Sequence, residues 1–157
     1  MKIHIKTFFG LEDLLAEEVR SLGGQNVQIH KRSVACEGDL EFLYKANYNL
    51  RLALKVLVPV YSFQARNEQQ LYDQVMKHDW SKYLKMEQTF AIDNTVFSEF
   101  FKHSKYAALK TKDAIVDQFR NKFGRRPSVD IKNPDIQFDL YAFKDQFTIS
   151  LDSSGDT

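Results

Sequence analysis

The order in which two hydrophobic periods alternate over residues 2–63 constrains the fold more than any other feature of this chain. Ile3, Ile5 and Thr7 alternate with Lys2, His4 and Lys6, which predicts a half-buried strand that Gly10 ends. Leu11, Leu14, Leu15, Val19 and Leu22 fall on one stripe of an amphipathic helix, and Gly23-Gly24 closes it. Val27–Ile29 and Ser33–Glu37 read as short strands with a polar turn between them. Asp39 is placed to cap a helix running to about Asn47. Leu52–Phe63 reads as a long strand in which Pro59 marks an edge or a bulge. A β-α-β-β-α-β order makes two split βαβ units, an antiparallel sheet with helices on one face: the ferredoxin-like arrangement.

A second pattern begins near Gln64. Leu71, Tyr72, Val75 and Met76 lie at helical spacing, and Trp80, Tyr83 and Leu84 follow as a turn or short helix. Thr89–Asn94 reads as a strand. Ser104 sits where a helix could be capped, and Lys105, Ala108, Leu109, Lys112, Ile115, Val116, Phe119 and Phe123 trace the helical period beyond it. Gly124 supplies the stop, with Pro127 just past it. Ile136–Phe143 and Phe147–Leu151 form a hairpin turned at Lys144-Asp145. The expected class is α+β: a ferredoxin-like domain over residues 1–62, then an α/β domain over 63–154.

The 157 residues, 43% of them hydrophobic, suffice to bury a core without disulfide or metal staples. The sole cysteine, Cys36, lies in an apolar-alternating run and reads as a buried strand residue; one thiol fits a reducing compartment. The first residues alternate instead of forming an apolar signal core, and no run reaches the ~18 apolar residues of a membrane helix, so a cytoplasmic protein is expected. The net charge is only +1, but Lys102–Lys132 holds nine Lys/Arg against three Asp, an excess of six positive charges. The remainder carries thirteen basic and eighteen acidic residues, an excess of five negative charges. A basic block on a near-neutral chain is a footprint for a polyanion, or else a solvated helix face.

Catalytic motifs are absent. No Gly-x-Gly-x-x-Gly follows a strand, no Walker loop or Gly-x-Ser-x-Gly appears, and His4, His30, His78 and His103 lack metal-ligand spacing. A self-contained enzyme would have to use Cys36 or the His78-Asp79 pair, and no nucleophile motif supports either; Trp80 beside that pair reads as packing. Asp152-Ser153-Ser154-Gly155-Asp156 reads as a strand exit, with a phosphate or cation loop as the alternative.

Phe101-Lys102-His103-Ser104-Lys105-Tyr106-Ala107-Ala108-Leu109-Lys110-Thr111-Lys112-Asp113 and the run through Asp117 resemble the central helix of THUMP domains, as found in bacterial large-subunit rRNA guanine-N2-methyltransferases. The likeness continues through Gly124-Arg125-Arg126-Pro127 and Asn133-Pro134-Asp135-Ile136. Gly10-Leu11-Glu12, Asn49-Leu50-Arg51-Leu52-Ala53, Leu71-Tyr72, Asp79-Trp80, Thr89-Phe90-Ala91 and Leu151-Asp152 keep the family's order, and the family signature could begin near residue 42. The resemblance implies a ferredoxin-like domain leading into a THUMP domain that docks RNA, with 23S rRNA as the expected partner. A Rossmann-like methyltransferase domain using S-adenosylmethionine would then follow past Thr157. The chain is therefore expected to be a truncated or split portion that neither binds the cofactor nor turns over substrate alone. A tRNA-modifying relative, or a protein-interaction module pairing through sheet edges, are the competing readings.

The expected RNA-binding residues are Lys102, His103, Ser104, Lys105, Lys112, Arg125 and Arg126. Lys105 and Lys112 are seven apart, on one helical face. His103 and Ser104 sit at a helix start, where free N–H groups and the positive dipole end favour a phosphate; Ser104 could equally be a plain N-cap. Arg125 and Arg126 could grip phosphates or simply offset the helix C-terminal dipole. Tyr106 is a stacking candidate as readily as a core residue. Asp113, Asp117, Asp130 and Asp135 are expected to be structural.

Overall fold

The computed structural model describes residues 1–153, so Ser154, Gly155 and Asp156 of the terminal turn-like run lie outside the described residues. The chain divides into two compact units, Met1–Pro59 joined by the segment from Asp152, and Val60–Leu151.

The first unit has the expected order: β1 (Lys2–Lys6), α1 (Glu12–Ser21), β2 (Gln25–His30), β3 (Ser33–Glu37), α2 (Leu40–Asn49) and the start of β4 (Lys55–Gln64). Its strands lie in the order β2-β3-β1-β4, every pair antiparallel, with Ile3 opposite Cys36 and Ile5 opposite both Val34 and Val56. Those inward side chains meet Leu15, Ala16 and Val19 of α1 and Phe42 and Ala46 of α2 in one core. α1 ends as its glycines dictate: Gly23 is left-handed at φ 102, and Gly24 N–H returns to Val19 O at 2.9 Å. Leu14, placed on the buried stripe by its spacing, is instead 54% exposed, because the stripe that packs is Leu15, Ala16 and Val19. The Asp39 carboxylate caps α2, accepting the Phe42 N–H at 2.8 Å. β4 starts at Lys55, later than Leu52, since Leu52 O is taken by the Thr7 hydroxyl at 2.6 Å in the preceding loop. Pro59 falls two residues past Leu57, the last residue paired with β1, where its missing N–H costs no β1 ladder bond.

The second unit contains the end of β4, α3 (Glu68–Met76), a 3-10 turn (Trp80–Lys82), β5 (Thr89–Phe97), α4 (Ser104–Phe123), β6 (Ser128–Val129), β7 (Ile136–Phe143) and β8 (Gln146–Asp152). The strand order is β4-β8-β7-β5-β6. β5 runs parallel to β7 from Phe90–Ile136 to Phe97–Phe143, and α4 lies in the crossover that such a pair requires. The β7–β8 hairpin turns at Lys144-Asp145, with Lys144 left-handed at φ 58.

α4 buries Ala107, Thr111, Ala114, Ile115, Val116, Gln118 and Phe119. This corrects the spacing-based face: Leu109 is 49% and Phe123 55% exposed. Two polar residues take the inner face because both are satisfied there. The Thr111 hydroxyl donates to Ala107 O at 2.8 Å. The Gln118 amide accepts the Trp80 N–H at 3.0 Å and donates to Met76 O at 3.0 Å and to His78 O. The fully buried Trp80 gives its indole N–H to Val75 O at 2.8 Å.

Gln118→Ala should lower unfolding free energy by about 1–3 kcal/mol, since it strands the buried Trp80 N–H. Leu109→Ala should cost less than about 1 kcal/mol. Urea unfolding of both variants checks the pair, and a larger loss at Leu109 would show that the inner face is misassigned.

Candidate nucleic-acid interface

The residues expected to bind RNA sit around α4, whose 20 residues make a rod roughly 30 Å long. At its start, Phe101 is buried with its ring edge-on to Phe147 at 5.2 Å, which anchors the segment from which Lys102 and His103 emerge exposed. The capping position belongs to His103, whose side chain makes no cap hydrogen bond, and Ser104 is the first helical residue. Ser104 is thus not the cap its position suggested. The first turn carries no acid, so nothing on α4 itself offsets its positive end. Lys105 and Tyr106 are exposed, and the Tyr106 ring stands edge-on to His103 at 5.4 Å.

Lys112, two turns along, is half-buried and its ammonium lies 3.1 Å from Asp113. Arg125 and Arg126 are exposed beyond Gly124, which is left-handed at φ 74 and returns its N–H to Arg120 O at 2.9 Å. The structure therefore brings Lys102, His103, Ser104 and Lys105 together and places Arg125 and Arg126 at the far end of the rod.

Other cations of the block are engaged within the fold. Lys122 meets Asp79 at 3.1 Å and Arg120 meets Asp117 at 3.8 Å. Asp117 also accepts the Tyr72 hydroxyl at 2.6 Å, a bond that pushes the Tyr72 phenol up to about 12. Asp79 is held down to about 2, first by the Ser81 hydroxyl at 2.5 Å and then by Lys122. Asp130 accepts the N–H groups of Lys132 and Asn133, and Asp135 accepts that of Thr89.

Two neighbours of the helix start carry no sequence signal. Arg66 lies 5.8 Å from the Phe100 ring centroid while its guanidinium meets Asp145 at 3.2 Å. Phe100 and Lys110, with Asn67, Glu68 and Gln69 of the α3 start, line an open cavity of about 500 Å³. A second cavity, about 320 Å³, is lined by His78, Asp79, Gln118 and Lys122 among others. No catalytic triad forms there: His78 bonds the Tyr83 hydroxyl at 2.8 Å and stacks on Tyr61, while Asp79 serves Ser81 and Lys122. Cys36 is 3% exposed and its thiol is pushed up to about 11 by burial, unsuited to act as a thiolate nucleophile. Among the described residues no group of three His, Cys, Asp or Glu could hold a metal ion, and no helix is long and apolar enough to cross a membrane.

Comparison with known proteins matches residues 2–57 to the RlmL ferredoxin-like domain and residues 65–152 to the THUMP domain. The ribosomal RNA large subunit methyltransferase K/L of Syntrophotalea carbinolica is 40% identical over 148 residues, 94% of this chain and 21% of that protein. The chain thus spans about a fifth of that relative's length. The crystal structure of a "possible methylase" from Clostridium difficile 630 superposes with a TM-score of 0.82 at 22% identity, over 96% of this chain and 40% of that one. A 4-thiouridine synthetase, solved with RNA and ATP, does so with a TM-score of 0.56 at 13% identity, over 96% and 40% of the respective chains.

The Asp79 carboxyl titrates below its ordinary value of 3.8 when folded, so its contribution to stability is present above that pH and is lost as pH falls toward about 2. Asp79→Asn should therefore flatten the decline of melting temperature over this acid range relative to the parent. An unchanged acid slope would mean that the Ser81 and Lys122 contacts do not hold the carboxylate in solution.

Proposed function

The chain belongs to the THUMP-domain family, and from that premise we propose that it is the RNA-docking portion of a large-subunit rRNA methyltransferase. The observation that carries the reading is the start of α4. There Lys102, His103 and Lys105 stand exposed on an acid-free first turn, and among the described residues none of the three is held in an ion pair. Free helix N–H groups, the positive dipole end and two ammoniums form a receptor for a phosphate. Arg125 and Arg126 offer two guanidinium forks roughly 30 Å away, so one RNA would be gripped at two separated backbone positions. Such contacts position RNA without reading its sequence. Lys112 is a weaker contributor, because Asp113 already neutralises much of its field.

The parent activity in this reading is guanine-N2 methylation of 23S rRNA in the cytoplasm, with residues 1–62 and 63–154 as the two docking domains. S-adenosylmethionine would supply the methyl group. This chain does not fit that cofactor: the turns that enter α1 and α2 carry single glycines, Gly10 and Gly38, and the turn entering α4 carries none. The methylation chemistry is therefore assigned to other parts of the parent protein. The present residues bind and orient the substrate.

Fluorescence anisotropy with labelled 23S rRNA hairpins tests the site. Affinity should fall steeply with salt. Lys102→Glu/Lys105→Glu and Arg125→Glu/Arg126→Glu should each weaken binding and make the salt slope shallower by about two. Their effects should multiply when combined, since the ends are far apart. Lys122→Ala, which removes a cation already paired to Asp79, should change affinity less than about twofold. Salt-insensitive binding, or charge-reversed variants that bind like the parent, would remove the function from α4.

A further inference from the structure

In the first unit, three loops are tied together at one end of the sheet. The buried Thr7 donates its N–H to Arg32 O at 2.9 Å and its hydroxyl to Leu52 O at 2.6 Å. Leu54 N–H returns to Lys6 O at 2.7 Å. The Glu12 carboxylate ties two of the same loops, accepting the Gly10 N–H at 2.6 Å and the Arg32 N–H at 3.1 Å. Between Thr7 and Glu12 the chain makes a tight turn, closed by Leu11 N–H to Phe8 O at 3.1 Å, with Gly10 left-handed at φ 92. This brace carries two large apolar side chains outward: Phe8 is 61% and Phe9 69% exposed.

A hydrophobic pair fixed in place yet left in water contributes little to folding, so its value lies in what it meets. The charges around it say what that is. On the three loops and the first turn of α1, the exposed charges are Lys31, Arg32 and Arg51 against a single acid, Asp13. Of the other carboxylates on α1, Glu12 and Glu18 are turned onto backbone N–H groups, Glu12 as described and Glu18 toward Arg51 N–H at 3.3 Å, while Glu17 is exposed one turn further along the helix. Aromatic rings set among cations suit unpaired nucleotides, whose bases stack on the rings while their phosphates meet the basic side chains. An apolar protein partner would leave those cations without counter-charge.

We propose that the Phe8-Phe9 turn, flanked by Lys31, Arg32 and Arg51, is a second RNA contact that takes an unpaired segment of the substrate by base stacking. The ferredoxin-like domain then holds single-stranded RNA while α4 holds backbone phosphates. This rests on the RNA-docking reading but uses no residue of α4.

The test is anisotropy of the full chain with two labelled probes, a short single-stranded adenylate oligomer and a blunt RNA duplex. Phe8→Ala/Phe9→Ala should weaken single-strand binding about tenfold or more. Its affinity for the duplex should change less than about twofold. Phe8→Trp/Phe9→Trp should retain single-strand affinity, and its added tryptophan emission should be quenched as bases stack. Unchanged single-strand affinity in the alanine variant overturns the proposal, as does an equal loss on both probes. If only Lys102→Glu/Lys105→Glu weakens binding, the docking role of α4 stands and the turn belongs to a protein partner. If the parent binds neither probe, both readings fall.

Discussion

The amide of Gln118 is the fastening on which the second unit turns. The 20-residue α4, with eight basic residues in and just beside it, packs on an inner face that is not wholly apolar. Ala107, Ala114, Ile115, Val116 and Phe119 supply the apolar contacts, and Gln118 completes the hold by satisfying three backbone groups of the segment from Met76 to Trp80. A buried amide with every bond made is directional in a way that leucine contacts are not. It fixes the rotation of α4 as well as its position. Which cations face outward, and how far apart the two basic ends stand, both follow from that rotation.

The electrostatics sort themselves by the same geometry. Cations in the last turns, Arg120 and Lys122, find Asp117 and Asp79 within the unit, and Lys112 finds Asp113. The cations at the rod's ends, Lys102 and Lys105 on one side and Arg125 and Arg126 on the other, form no ion pair among the described residues. A charge count over the block treats all nine alike, whereas only the unpaired ones keep enough field to attract a phosphate in salt. The first unit repeats the device on a smaller scale, turning Glu12 and Glu18 inward and leaving Lys31, Arg32 and Arg51 outside.

Local chemistry was legible in the sequence. Asp39 capped its helix, Gly23-Gly24 and Gly124 stopped theirs, and Lys144-Asp145 turned the hairpin, because each of these rests on backbone rules that act within a few residues. Face assignment was harder. Leu14, Leu109 and Phe123 satisfy a helical period but stay outside, while Thr111 and Gln118 go in, since periodicity scores polarity and sees neither the Ala107 carbonyl that takes the Thr111 hydroxyl nor the carbonyls about forty residues away that take the Gln118 amide. β6, two residues long, left no pattern to read. The charge count and the helical period found the basic helix, but the separation of its two ends needed the helix length. Arg66 beside Phe100, and the brace behind Phe8 and Phe9, join residues with no shared motif and appear only once the chain is folded.

The account stands or falls on α4 as a rod that engages RNA at both ends. Amide hydrogen–deuterium exchange of the chain, with and without a 23S rRNA hairpin, measures this most directly, because the first N–H groups of a helix have no internal partner and report any phosphate that covers them. The account requires slowed exchange at residues 103–105, whose N–H groups have no partner within the helix, and again at 125–126, with the buried middle of the helix unchanged. Slowing that spreads uniformly along α4, or is absent from both ends, would contradict it.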